Sequence, residues 1–218
     1  GFFIPLGVLL QFVLHGDVIA EFLAIQPVVA NSVTVALAAA VFIMLVASLI
    51  VLTAAFRGGS KLRKLALISS TGYAFPGTIL AIGVLIYAGY IDGLLRFISD
   101  GVISSFLIAG LGLLMLAYLV RFQAVGYGAI LSGVRRLPEN LMSASRVLGH
   151  SYGASLRQII LPLLKSSFIA GLMLVFVDIM KELPMTLLLR PFDFETLATY
   201  TYQFAKDEML ENAALPSL

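Results

Sequence analysis

The sequence predicts an all-α protein, a polytopic bundle of membrane-spanning helices, and three observations carry that expectation. Of 218 residues, 60% are hydrophobic and only 12% charged, about half the charged share of a soluble domain, too little to cover a globular surface. Apolar runs recur at the length of about 20 residues that a helix needs to cross a bilayer. The mean hydropathy of +1.02 agrees. Net charge is only +2, which gives no reason to expect nucleic acid, and the absence of cysteine excludes disulfides and thiolate chemistry.

Taken in order, Phe2 to Leu14 is too short to span and is expected to be the end of a preceding helix. His15, Asp17 and Glu21 mark a polar loop running to Pro27. Asn31 to Phe56 is a full span, followed by a basic, glycine-punctuated loop from Arg57 to Lys64. The next span runs from about Leu65 to Tyr90, with Phe75-Pro76-Gly77 breaking it near its middle. Asp92, Arg96 and Asp100 fall in a short loop, and Val102 to Val120 is a further span. Arg121 to Lys165 is a long, moderately polar segment. Ser166 to Met180 completes another span, and residues 183–210 are amphipathic and loop-like. These are about five spans, whole or partial. The chain opens at Gly1 with no initiator Met, basic leader or cleavage site and stops in an apolar stretch, so it is expected to be part of a longer polypeptide. Residues 1–30 then form the end of a span and an outer loop, and 31–218 one transmembrane domain cut short at its C-terminus.

Lys and Arg positions set orientation. Segments 57–64 and 121–165 hold ten of the fourteen Lys and Arg residues and a single acid, Glu139. Alternating spans place both segments on one side, and the positive-inside rule makes it the cytosol. Small residues at four-residue spacing, Ala36/Ala40 and Gly77/Ala81, predict close helix packing.

Within the long cytosolic segment, Leu137-Pro138-Glu139 reads as a helix start, with Pro in the first turn and an acid near the positive end of the dipole. Leu141, Ala144 and Leu148 recur at helical spacing, Gly149 can end that helix in a left-handed conformation, and a second short helix from about Tyr152 to Ile160 leads to Pro162. Two short helices around a glycine turn make a compact knob.

At this point the chain resembles permease subunits of type I ABC importers, whose "EAA" loop reads Glu-Ala-Ala, three residues, Gly, nine residues, Ile, one residue, Leu-Pro. Ser143-Ala144-Ser145 stands at the Glu-Ala-Ala positions, Gly149 at the Gly, Ile159 at the Ile, and Leu161-Pro162 closes the motif without insertion or deletion. The resemblance implies an ABC type-1 transmembrane domain whose loop 139–162 is the coupling helix docked on a cytosolic ATPase. Glu139, Ser143, Ala144, Ser145, Arg146, Leu148, Gly149, Ile159, Leu161 and Pro162 are then the coupling residues. Ser143 replaces the family's acid, so Arg146 or His150 is expected to supply polar contacts in its place. Gly72 to Ala81, Asp178 to Arg190, Phe194 to Thr199 and Glu211 to Pro216 are similar to the iron(III)-transport branch, in which this would be the C-terminal half.

The resemblance further implies a pair of cytosolic ABC ATPase subunits carrying the ATP and Mg, an extracytoplasmic substrate-binding protein facing the acidic side including 183–210, and a second permease half or copy, all at a bacterial inner membrane. The chain itself has no cofactor, metal site or catalytic residue to offer: Gly58-Gly59-Ser60-Lys61 lacks the spacing of a phosphate cradle, and His15 and His150 are solitary. Candidate pathway or gating residues are Tyr73, Pro76, Gly77 and Thr78 at the Pro-Gly break, and Asp178, Lys181 and Glu182 at a span's outer end, where a structural Asp178–Lys181 pair at helical spacing is the favoured reading over substrate contact. Permeases for thiamine, polyamines or anions remain open as alternatives. A passive channel or membrane enzyme would need a pore ring of charge or a catalytic cluster at membrane depth, and none is seen.

Overall fold

The computed structural model describes residues 18–57, 60–69, 71–98 and 110–217, with Phe3, 6–8 and Gln11 before them. Regular structure among the described residues is helical throughout: α1 (Val18–Phe56), α2 (Ser60–Ser69), a 3-10 turn (Gly72–Ala74), α3 (Gly77–Ile98), α4 (Leu111–Val134), α5 (Leu141–Val147), α6 (Tyr152–Leu163), α7 (Lys165–Met180), α8 (Pro184–Leu189), α9 (Leu197–Lys206) and α10 (Leu210–Ser217). Three helices are long and apolar enough to cross a membrane, Phe22–Phe56 of α1, α3 and α4; the pair α6 and α7, bent by 63°, makes a fourth if counted as one. The all-α membrane class holds.

Several boundaries differ from the sequence expectation, each for an identifiable reason. The polar stretch before Pro27 is not a loop in its described part, because α1 already runs from Val18 and carries Pro27 inside it; His15 and Asp17 lie outside the described residues. Just beyond Pro27, Ser32 Oγ donates to the Val28 carbonyl one turn back at 2.9 Å and accepts the distant Leu197 N–H at 2.6 Å. The basic loop after Arg57 turns helical at Ser60. The Pro-Gly break does not interrupt a span midway; it precedes α3, which starts at Gly77. Asp92 and Arg96 are helical, paired at 2.9 Å four residues apart on α3, the spacing at which such pairs support a helix. Asp100 and most of the expected 102–120 span start lie outside the described residues, but α4 continues through Arg121 to Val134. Arg121 sits in a helix because its Nη1 donates to the Phe75 carbonyl at 3.4 Å, a group that the break leaves outside any helix. Residues 183–210 are not loop-like either. Pro184 opens α8 in its first turn, and Thr196 with Thr199 forms a capping box at the start of α9.

The chain divides into two compact units. One comprises Ala38–Leu80 and Met115–Ile179, the other Gly1–Leu37, Ala81–Leu114 and Met180–Leu218. Charge follows the division: the first holds ten Lys and Arg against two acids, a formal +8, and the second four against ten, a formal −6.

In the basic unit, packing depends on small residues. A Cβ on Gly171 of α7 would lie 2.7 Å from Ala129 Cβ on α4, and one on Gly133 would lie 2.4 Å from Ser167 Oγ on α7. Ala129/Gly133 and Ser167/Gly171 therefore form two antiparallel small-xxx-small seams in contact, the device that lets membrane helices approach where the hydrophobic effect cannot drive them together. Gly126 packs likewise against Ala47 and Met44 of α1. These are not the pairs that the sequence singled out, although Ala36, Ala40 and Ala81 are buried as well.

In the acidic unit, α9 is tied to α1 by the Ser32–Leu197 bond and by Asn31 Nδ2 donating to the Glu195 carbonyl at 3.4 Å. Ahead of α9, Phe194 N–H bonds the Pro191 carbonyl at 3.3 Å across Phe192 and Asp193. Asp193 has φ 64, the left-handed position of a type II turn that glycine normally fills. Arg190 pairs with Glu195 and donates to the Phe194 carbonyl at 2.9 Å, closing the turn, and Phe192 at its tip is fully exposed.

Candidate coupling loop

The segment from Arg135 to Leu164 is built from local rules. After α4, two tight turns (Arg136 N–H to Gly133 O, 3.1 Å; Leu137 N–H to Val134 O, 3.1 Å) carry the chain to Pro138. Pro138 and Glu139 form a turn, not the helix start that their types predict, and α5 begins at Leu141 behind Asn140. At its other end Gly149 has φ +89. The Gly149 N–H bonds the Arg146 carbonyl at 3.0 Å and the His150 N–H bonds the Ser145 carbonyl at 3.2 Å. That pair of bonds around a left-handed glycine is a Schellman motif, as the sequence anticipated at Gly149. Ser151 then caps α6, accepting the Ala154 N–H at 3.3 Å.

A hydroxyl chain locks the two short helices together. Ser155 Oγ donates to the Ser151 carbonyl at 3.0 Å, and Ser145 Oγ lies 2.7 Å from Ser155 Oγ. Since the Ser155 proton is committed to the carbonyl, Ser145 is the donor. Both serines are buried. Ser145 is thus an internal staple and not a partner-facing residue, a role distinct from that of Ser143 and Ala144, which are exposed. Ser145→Ala is expected to cost about 1 kcal/mol of loop stability, seen as faster amide exchange across residues 141–156, while Ser143→Ala leaves exchange unchanged.

The inner face of the loop rests on the ends of the spans. Leu141, Met142, Leu137 and Leu156 pack against a core of Leu52, Ile160 and Leu164, and the Arg57 guanidinium stands 4.4 Å from the centre of the Tyr152 ring. The expected stripe of Leu141, Ala144 and Leu148 is not one face: Leu141 turns inward while Leu148 is 79% exposed. Beside it Val147 is 86% exposed. Val147 falls off the helical repeat of that stripe, and the sequence signals it only by its place beside Leu148 ahead of the glycine. Glu139, Arg146 and His150 are exposed around this apolar tip. Ile159 is half-buried, and Leu161 and Pro162 belong to the bend into α7 and not to the tip.

Of the candidate pathway residues, Tyr73, Pro76 and Thr78 are exposed and Gly77 buried. Gly72, beside them, touches α4 so closely that a Cβ would fall 1.9 Å from the Val120 carbonyl oxygen. Glu182 is buried, with its carboxylate accepting the Met185 N–H at 3.3 Å and its carbonyl the Thr186 hydroxyl at 2.5 Å. Its carboxylate thereby satisfies an N–H in the first turn of α8, one residue ahead of the N-cap Leu183. Asp178 is half-buried and Lys181 exposed. Among the described residues no three His, Asp or Glu side chains gather as a metal site.

Three or four candidate spans joined by a compact two-helix loop make this a multi-pass helical membrane protein. The family model of the binding-protein-dependent transport system inner membrane component matches residues 48–205, more than two thirds of the chain, and the chain belongs to that family. It is an ABC importer permease subunit, a membrane transport component and not an enzyme. Comparison with curated proteins returns no match.

Proposed function

We propose that this permease moves iron(III), free or chelated, across a bacterial inner membrane, driven by cytosolic ATPase subunits that grip loop 139–162. The observation that carries the coupling part is the exposed Val147–Leu148 tip on a loop whose inner face is anchored to the spans. An apolar pair so exposed in water marks a contact surface, and its anchoring at Leu52 and Leu164 lets a push on the tip reach α1 and α7. Arg146 and His150 flank the tip in place of the carboxylate that Ser143 lacks. Orientation rests on charge: the +8 unit has its loops in the cytosol by the positive-inside rule. Segment 183–210, which the resemblance sets toward the binding protein, carries the Phe192 turn, held out by the Arg190–Glu195 clamp, and offers that partner a rigid apolar contact.

Tyr73, Pro76 and Thr78, exposed at the 71–76 break ahead of α3, are the residues proposed to meet the second permease half and line the path. Irregular backbone in a membrane protein is tolerated where it faces protein or a wet cavity. Iron(III) is favoured by the four stretches similar to that branch. Reconstitution in liposomes with the cognate ATPase and binding protein tests the substrate. ATP-dependent uptake of labelled iron(III) above that of thiamine, spermidine or sulfate is expected; uptake of one of those in its place overturns the iron assignment.

A further inference from the structure

We propose that the groove at the bend between α6 and α7 is a binding site for an anionic phospholipid, with an acyl chain along its apolar wall and the phosphate at the Lys165 ammonium. The bend arises where the π-helical turn Leu156–Ile160 and Pro162 break the regular ladder, so that α7 restarts at Lys165; such inserts are the usual causes of sharp kinks. The divergence opens a groove of about 270 Å³. Leu52 of α1 and Ile130 of α4 are among its lining, together with Leu161 and Phe168. Only Ser48 and Lys165 bring polar side chains to it.

This lining selects among occupants. Water needs two to four polar partners, which the walls do not supply. A polar solute would need convergent hydrogen-bonding groups, also missing. A helix from another copy would press an apolar face onto Lys165 and strip its ammonium of water, at a cost. A phospholipid meets both halves of the site, because its chain lies on Leu52, Ile130 and Phe168 while the exposed lysine reaches the headgroup by its flexible stem. The unit's formal charge of +8 favours an anionic headgroup, as basic pockets at the cytosolic ends of membrane helices do. The proposal needs only that the chain is embedded in a membrane, so it stands or falls apart from the transport reading.

Native mass spectrometry tests it on the purified full chain, offered phosphatidylglycerol and phosphatidylethanolamine of equal chain length. Wild type should retain phosphatidylglycerol in preference. Lys165→Gln should lower that preference about fivefold, Lys165→Arg should keep it, and Lys64→Gln, removing an exposed cation of α2, should not change it. Ser48→Leu fills the groove without breaking a contact, since the Ser48 hydroxyl makes no hydrogen bond; it should reduce bound lipid of both kinds. Melting temperatures within a few degrees of wild type establish that each variant is folded. Equal preference in wild type and Lys165→Gln, loss in Lys165→Arg, an equal loss in Lys64→Gln, or undiminished lipid in Ser48→Leu would overturn the proposal.

Discussion

Gly72→Ala is expected to destabilise the permease more than any other single methyl group added in the helical framework. The new carbon would sit 1.9 Å from the Val120 carbonyl oxygen and 2.9 Å from its carbonyl carbon. Both are backbone atoms of α4 that no rotamer change can move. Relief requires the 3-10 turn to lift from α4, which also pulls the Phe75 carbonyl from Arg121 and the Tyr73 ring from Phe122, now 6.3 Å between centres. The cost expected from overpacking of this kind is about 3 kcal/mol or more. Gly83→Ala is the matched control: a Cβ there meets nothing within 4 Å, so it should be neutral or gain about 0.5–1 kcal/mol from better helix propensity. Thermal stability by size-exclusion in mild detergent distinguishes them. Equal midpoints for the two variants would mean that the turn does not touch α4.

Val147→Glu with Leu148→Glu is expected to cut ATP-dependent uptake on the order of 10- to 30-fold while leaving the fold intact. At 86% and 79% exposure neither side chain contributes packing within the chain, so stability should move by less than about 0.5 kcal/mol. The loss should therefore appear in transport and not in expression or melting temperature. Ser145→Ala acts differently, loosening the loop without touching its tip, and a smaller effect on uptake is expected. If the double variant transported at the wild-type rate, the tip would not be the contact.

What the sequence made legible was whatever is governed by long apolar runs and by local backbone rules. The existence of α1, α4 and α7 follows from run length, and the left-handed Gly149 from helix-ending chemistry. What it concealed depended on partners distant in the chain. Ser32 looks like an ordinary polar residue of a span until Leu197 is brought beside it. Arg121 looks like the start of a cytosolic segment until it meets the Phe75 carbonyl. Ser145 stands at a motif position that implies a partner contact, yet its hydroxyl is spent on Ser155, ten residues on, a pairing that no periodicity marks. The positive φ of Asp193, which Asp tolerates better than most residues, is likewise held by a clamp between residues on either side of it, Arg190 and Glu195.

Coupling through the loop is the central claim, and retention of an ATPase tests it most directly. The full chain would be purified from membranes co-expressing candidate ABC ATPase subunits, beside Gly149→Pro and the Val147→Glu, Leu148→Glu double variant. Gly149→Pro cannot keep φ +89 or the N–H bond to Arg146, so the tip is lost with the spans untouched. The account predicts that the wild type carries an ATPase through purification and that both variants lose it while remaining monodisperse. Both variants retaining the ATPase at the wild-type level would contradict it.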